Sequence, residues 1–521
     1  MANGLFNLKQ VNQAIQQSAW TGQKTPVVNY LVVAGGGAGG GAYGGGGGGG
    51  GFLTGVTTVT AGSAITVTVG AGGTGSSGQG PNGSNSVFGS IVATGGGGGC
   101  TGQSAGSAGG SGGGNGGGPS TAGTGTIGSA VRGQGNVGGV GGSGTGPAPG
   151  GGGGAGSVGL AGQGEGPAGS GGPGAASAIT GNMTAYAGGG GSGCYNRGVG
   201  GFNSPGGSGG GGAGGDSAGN NPGTAGTANT GGGGGGGSIN GSPANGGNGG
   251  SGIVVISYPD TYAAAASTTG SPTVSTSGAG SIAFNGSSQS LNYAAQTPFA
   301  FGTGDFTIEF WAYPTGGLAS SPSYIDFRGS SSASPAPMIY NNNGTLSYYT
   351  AGADRITYSY ATLNTWVHIA VCRSGTSTKM FVNGTQVGAT YTDANSYVVG
   401  TGGPYIAQNG ASGGYYTGYM SNIRIVKGVC VYTGTFTPPT APLTITQPAG
   451  TNIAAITGTQ TSLLLPANSG AFSADISSNA YAVATLTSAS AAPTWNAAWP
   501  FSGTGYKNRV YTWTGNGTIT F

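Results

Sequence analysis

Two runs of glycine, at residues 44–51 and 231–237, limit this chain more than any other feature, because they offer no side chain to bury. Ordering each residue costs about 1–2 kcal/mol of backbone entropy, which hydrophobic burial cannot offset there. Such segments either stay a flexible linker or satisfy their N–H and C=O groups against one another. Glycine permits the closest backbone approach. The ordered solution is therefore a set of left-handed extended helices packed side by side in a lattice. Collagen is disfavoured, since a strict period of three with abundant proline is missing.

At 521 residues the chain exceeds the roughly 250–300 at which single cores stop growing, so two or more domains are expected. Charged residues make up only 4%, which excludes an ordinary cytosolic domain. A formal net charge of +3 with 9% aromatics also fits a disordered chain poorly. The 12 Lys and Arg are scattered from Lys9 to Arg509, so no basic surface for nucleic acid is expected. No basic segment followed by a continuous apolar stretch occurs in residues 1–20, and no window approaches about 18 apolar residues. A chain of extracellular composition without export signal or membrane insertion is the expected profile of a virion component released by lysis. A non-classically exported bacterial surface protein has the same profile. Cys100, Cys194, Cys372 and Cys430 lie far apart without a C-x-x-C pair, so they are read as small buried or exposed thiols, with neither metal nor redox role.

The pattern divides into five segments. In residues 1–26, Leu5, Leu8, Val11 and Ile15 form one apolar stripe on a short helix. A helix this short is marginal alone, so the stripe needs a partner: neighbouring copies, a socket on a larger particle, or its own chain. Residues 27–259 are the glycine-rich domain, framed by strand-like runs at 27–34 (VVNYLVVA), 56–60, 65–69 (ITVTV), 87–93 and 253–258 (IVVISY). Residues 260–280, rich in Ala, Ser, Thr and Gly, read as a linker.

Residues 281–442 alternate strands and turns at sandwich spacing, including FTIEFWAY at 306–313, TWVHIAVC at 365–372 and YMSNIRIV at 419–426. Asn383-Gly384 marks a tight hairpin. Alternation sends Phe306, Ile308 and Phe310 to one face and Thr307, Glu309 and Trp311 to the other. Residues 443–521 read as a C-terminal β segment, with a diverged partial repeat beginning at TQTSLLLPANSG. In its terminal hairpin, residues 515–517 separate Tyr511 and Trp513 from Ile519 and Phe521.

The strings YLVVAGGGAGG, GFLTGVTTVTAGSAITVTVGAGG and GGNGGSGIVVISYP resemble the glycine-rich domain of phage tail fibres and adhesins. That resemblance implies that the opening and closing strands share a sheet while the glycine segments form a rigid body or tip. The strings SIAFNGSSQSLNY, GDFTIEFWAYPT, NTWVHIAVCRSGTSTKMFVNGTQV and YTGYMSNIRIVKGVCVYTGTFTPPTAPL resemble the laminin-G-like, concanavalin A-type jelly rolls of phage structural proteins. This second resemblance implies two curved antiparallel sheets, often with glycan or protein binding at a sheet face or loop rim. The expected fold is mostly β: packed polyglycine segments framed by strands, then an antiparallel jelly roll, with a short N-terminal helix.

Catalysis is not expected. The acidic residues do not form the closely alternating carboxylate cluster of related glucanases, and Glu309 stands among Thr307, Phe310 and Trp311 as a structural group. His368, the only histidine, has no G-x-S-x-G elbow to serve and reads as scaffold. The G-x-G-x-x-G matches follow from composition, and no phosphate loop or cofactor is expected. Asp305 near Asn285, or Asp326 near Asn341, are the only pairs that suggest calcium, and no metal site is assigned. Tyrosine is dense in the jelly roll. Tyr340, Tyr348, Tyr349, Tyr405, Tyr415 and Tyr416 are the candidate glycan contacts, the alternative being that they pack a sheet face in place of aliphatic residues.

The sequence thus points to a tail fibre or spike adhesin on the exterior of a phage particle. Its expected partners are other virion proteins through the N-terminal segment, a host-surface glycan or receptor, and two further copies in a homotrimer. A capsid-surface fibre or decoration protein and a bacterial extracellular carbohydrate-binding protein are the alternatives.

Overall fold

The computed structural model describes residues 27–117, 131–143, 148–163, 168–195, 204–216, 219–293, 297–328, 335–398, 403–410, 413–469, 472–481, 492–501 and 507–521. The N-terminal stripe of Leu5, Leu8, Val11 and Ile15 lies outside them. Two compact units result: Met1–Ser277 with Lys507–Phe521, and Gly278–Tyr506.

The first unit contains a sandwich of two five-stranded sheets. One runs Thr273–Gly278, Lys507–Trp513, Ile253–Pro259, Val27–Val33, Phe52–Thr58; the other Ser267–Thr269, Gly517–Thr520, Ala64–Thr68, Ser86–Phe88, Ile91–Ala93. The opening and closing strands of the glycine-rich region pair directly, Leu31 opposite Val255 and Val32 opposite Val254. Their β-branched side chains alternate between two apolar faces. Val28, Val32, Val254, Ile256 and Trp513 meet Val67, Phe88 and Ile519 between the sheets, while Leu31, Val33, Val255 and Val510 pack on Tyr186 and Ala187 behind.

From this sandwich the glycine segments extend as the expected lattice. Hydrogen bonds change partner with a period of three. Gly36, Gly39 and Ala42 donate to Gly250, Gly247 and Ala244; Gly37 and Gly40 to Gly48 and Gly45; Gly35, Ala38 and Gly41 to Ser84, Pro81 and Gly78. Three residues per turn is the polyproline II repeat, and no residue of 44–51 has a positive φ. Residues 44–51 donate to segments 231–237, 94–100 and 150–153, and accept from 34–40, 111–114 and 190–193. Six neighbours surround one segment. Backbone hydrogen bonding within a single chain thus takes the place of a hydrophobic core.

The second unit is an antiparallel two-sheet jelly roll. Its larger sheet runs Thr385–Thr392, Ser377–Val382, Val367–Ser374, Phe306–Gly316, Thr417–Lys427, Ser281–Asn285, Thr494–Asn496, with Thr461–Leu465 also on Thr417–Lys427. The smaller runs Leu291–Asn292, Tyr405–Ile406, Ser323–Asp326, Met338–Asn342, Thr345–Thr350, Ala353–Ser359. Phe306, Ile308 and Phe310 point into the core with Tyr324, Ile339 and Leu346, as their alternation requires. Asn383 and Gly384 take φ of 47° and 79°, the paired left-handed conformation of a two-residue hairpin turn.

The chain end departs from the sequence reading. Tyr511 and Trp513 do not pair with Ile519 and Phe521 in a hairpin. Lys507–Trp513 joins Ile253–Pro259 in one sheet, and Gly517–Thr520 joins Ala64–Thr68 in the other. Both strands keep their apolar faces toward the same core, and each supplies hydrogen bonds that a neighbouring strand would otherwise lack. Residues 260–280, read as a linker, contribute a strand to each sheet, and Thr461–Leu465 and Thr494–Asn496 complete the jelly roll instead of starting a repeat. Among the described residues, no helix is long and apolar enough to cross a membrane.

Candidate functional site

On the smaller sheet, Ile325, Ile339, Tyr348, Ile356 and Ile406 enter the core. The pleat therefore turns Asp326, Met338, Tyr340, Tyr349 and Tyr405 to the outer face. Cross-strand register aligns Tyr405, Asp326, Met338, Tyr349 and Asp354 in one row across five strands, with Tyr340 alongside. Tyr340, Tyr349 and Tyr405 are half-buried, leaving ring surface open on a rigid sheet.

Charged groups fix two of these rings, Tyr349 and Tyr340. Arg328 holds Asp326 through two parallel bonds of 2.9 Å, and Gly410 N donates to the same carboxylate at 2.9 Å. The guanidinium lies over the Tyr349 ring, 4.9 Å from its centroid. Burial alone would weaken Arg328's hold on its proton, but the Asp326 carboxylate more than compensates and raises its pKa. Tyr340 donates to Asp354 at 3.0 Å and stands edge-on to Tyr349, with ring centroids 6.3 Å apart. Burial first, and then the Asp354 carboxylate, push its phenol up to about 12. It therefore remains a neutral hydroxyl. Two anchored rings, Tyr340 and Tyr349, beside the open ring of Tyr405 can stack on the apolar faces of a sugar, and the Tyr340 hydroxyl and the exposed Asp354 carboxylate can bond its hydroxyls, while the buried Asp326 and Arg328 support them from below.

Only some of the expected tyrosines belong here. Tyr348 is fully buried and bonds Tyr397 through the two hydroxyls at 2.9 Å. Tyr416 is also fully buried, packed on Tyr324 and donating to Tyr419 O at 3.2 Å. Both are core residues; for the first the reason is that adjacent tyrosines on a strand face opposite ways, so Tyr349 is out where Tyr348 is in. Tyr415, half-buried, precedes Thr417–Lys427 and lies outside the smaller sheet. Sequence reasoning passed over Arg328 and Asp354. Their signal was scarcity, since a charge on or just after a strand stands out in a chain with only 9 acidic and 12 basic residues.

The pairs considered for calcium are engaged otherwise. Asp305 accepts from Gly375 N and Asn285 from Ser287 N, while Asn341 bonds Tyr360 O and Gly344 N. No group of three or more His, Cys, Asp or Glu that could hold a metal occurs among the described residues. All four cysteines are buried, and none forms a disulfide among the described residues.

Glu309 is the centre of a buried network on the outer face of the larger sheet. Arg424 Nη2 and Nε donate to it at 2.6 and 2.8 Å, Tyr432 Oη at 2.7 Å, and His368 Nε2 lies 3.2 Å away. Burial works against its charge, but Arg424, His368 and Tyr432 prevail and hold the carboxyl at about 2. A carboxylate held ionised at neutral pH and clamped by three partners has the environment of a structural group.

Residues 13–259 match the family described as glycine-rich domain, and residues 284–430 the concanavalin A-like lectin/glucanases superfamily. No curated protein matches the chain. Among solved structures, a Bacteroides ovatus protein proposed to bind carbohydrate is 14% identical, with a TM-score of 0.28, over 41% of this chain and 62% of that one. Domains LG4-5 of the mouse laminin α1 chain are 16% identical, with a TM-score of 0.23, over 28% and 41%. Domain 4 of an extracellular arabinanase from Geobacillus stearothermophilus, in complex with arabinotriose, is 13% identical, with a TM-score of 0.22, over 30% and 83%. The matched part is less than two thirds of the first two of those chains. The chain thus contains a glycine-rich domain and a concanavalin A-like laminin-G domain.

Proposed function

We propose that this chain is an exterior structural protein of a bacteriophage particle, a tail fibre or spike, that attaches to host-surface glycan through the outer face of the smaller sheet. The observation that carries the reading is the row of Tyr405, Asp326, Tyr349 and Asp354 with Tyr340 and Arg328, where rings and polar groups are held in place before any ligand arrives. Preorganised rings lose little entropy on binding. A glycine lattice bonded across its described segments provides a stiff body that needs no charged surface or large core. A lectin superfamily match over residues 284–430 supports the binding half of the proposal. The role is adhesive and not catalytic: the buried Glu309 is committed to Arg424 and Tyr432. The N-terminal segment would join other virion proteins, and three copies would form the fibre.

Two measurements test the reading. Full-length protein should bind purified host polysaccharide, and Tyr349→Ala should weaken that binding at least tenfold while leaving the unfolding temperature within a few degrees. Binding that survives Tyr349→Ala unchanged rejects the face; absence of binding rejects the adhesin. Immunogold against the jelly roll should label the tail of purified particles. Label over the head would make the protein a capsid fibre, and unlabelled particles would reject a virion role.

A further inference from the structure

The larger sheet's outer face is covered by the chain between residues 429 and 456, which seals Ala370, Cys372, Phe381 and Val426 beneath Tyr432, Phe436 and Ile456. Short antiparallel bridges, Tyr432 to Ile453 and Gln447 to Ile456, close this segment on itself. Between its two limbs is a pocket of about 490 Å³, open to solvent on one side and within the size range of small-molecule sites. The Glu309–Arg424 pair lies beside it and sets its wall. Arg424 Nη2, already bonded to Glu309, also donates to Gln447 Oε1 at 2.6 Å, and Nη1 donates to Thr444 O at 2.9 Å. Thus the Gln447 amide is pinned from behind by a fully buried ion pair, and its Nε2 group is left for an occupant of the cavity.

We infer that this cavity is a second ligand site, taking one neutral sugar ring of the glycan. The inference rests on the adhesive reading above and adds a site on the opposite sheet. Three observations define the ligand class. No lining residue is ionisable apart from Tyr432, so the site offers no countercharge to a sialic or uronic acid. Its walls include Pro439, Pro442, Leu443 and Ile453, which suit the C–H faces of a pyranose. Thr440, Thr444 and the pinned Gln447 place polar groups around those walls, as a polyhydroxylated ring requires. Arg424 is a positioning residue: its charge is spent on Glu309, and it serves by holding Gln447 and Thr444.

The test is saturation-transfer NMR on the full-length chain with D-glucose, D-galactose and N-acetylglucosamine as neutral probes and N-acetylneuraminic acid as the anionic one. At least one neutral sugar should receive saturation and the anionic sugar none. Gln447→Leu should weaken that binding at least tenfold. Ala441→Trp, which fills the cavity from an exposed position, should abolish it at an unchanged unfolding temperature. All of these measurements are made with Tyr349→Ala also present, which disables the smaller-sheet face, so that the transfer reports the cavity alone. Absence of transfer to all three neutral sugars, transfer to the anionic sugar of equal strength, or transfer that persists in both cavity variants overturns the inference. A signal present in the wild type and absent once Tyr349→Ala is introduced places the sugar on the smaller sheet, which removes the cavity site and keeps the adhesive function. Failure of that function is read separately, from the polysaccharide and particle-labelling measurements.

Discussion

Replacing Gly47 by alanine tests whether backbone packing, and not merely glycine's flexibility, builds the first unit. A Cβ at this position would stand 2.2 Å from Gly37 O and 2.7 Å from Ala38 O. Both atoms belong to a neighbouring segment held by its own bonds, so relief requires moving two segments apart by about 1 Å, enough to break ordinary hydrogen bonds. The bonds at stake between these segments are Ala34 N to Gly51 O, Gly37 N to Gly48 O and Gly40 N to Gly45 O. Each buried polar group left unpaired costs about 1–3 kcal/mol, so loss of the three bonds costs about 3 kcal/mol or more. For a unit of this size each kcal/mol lowers the midpoint by about 2–4 °C, which predicts a fall of at least about 6 °C. Differential scanning calorimetry of the full chain should register it. Gly515→Ala is the control, since its Cβ would meet nothing within 4 Å and its φ is not left-handed. If Gly47→Ala melts within a degree of Gly515→Ala, the close-packed lattice is refuted.

Three further outcomes follow from individual side chains. Glu309 contributes stability that is fully present above its unfolded value of 4.5 and is lost as pH falls toward about 2. The contribution amounts to about 3 kcal/mol at neutral pH, so the wild type should lose stability across pH 4.5 to 2, and Glu309→Gln should flatten that slope in acid titrations of the melting point. Tyr348→Ala should cost about 3–5 kcal/mol, as for other large buried aromatics, whereas Tyr349→Ala should cost far less and act on glycan binding; chemical denaturation of the two variants distinguishes core from surface. Truncation after residue 506 removes an interior strand from each sheet of the first unit, together with the fully buried Trp513. The truncated protein should lose the first unit's unfolding transition; retention of that transition would deny the terminal strands their structural role.

Much of the architecture was legible in local pattern. Polyglycine without side chains left interstrand hydrogen bonding as its only ordered state, and the threefold pairing of residues 35–51 is that state. Strict alternation at Phe306, Ile308 and Phe310 placed the core face, and Asn383-Gly384 fixed a turn, because both signals act over a few residues. The two families were legible from strings of motif because such strings record strand order without coordinates. Three matters required the tertiary structure. Which of Tyr348 and Tyr349 faces out depends on the core side of the sheet, and counting tyrosines cannot supply that. The ion pair of Glu309 with Arg424 spans 115 residues, a separation at which sequence carries no pairing signal. Residues 507–521 carry the alternation of a hairpin, yet its two strands divide between the sheets of a unit whose other strands lie more than 200 residues earlier. Local sequence determined what each segment could become; the choice of partner belonged to the backbone groups and apolar faces that distant segments left unsatisfied.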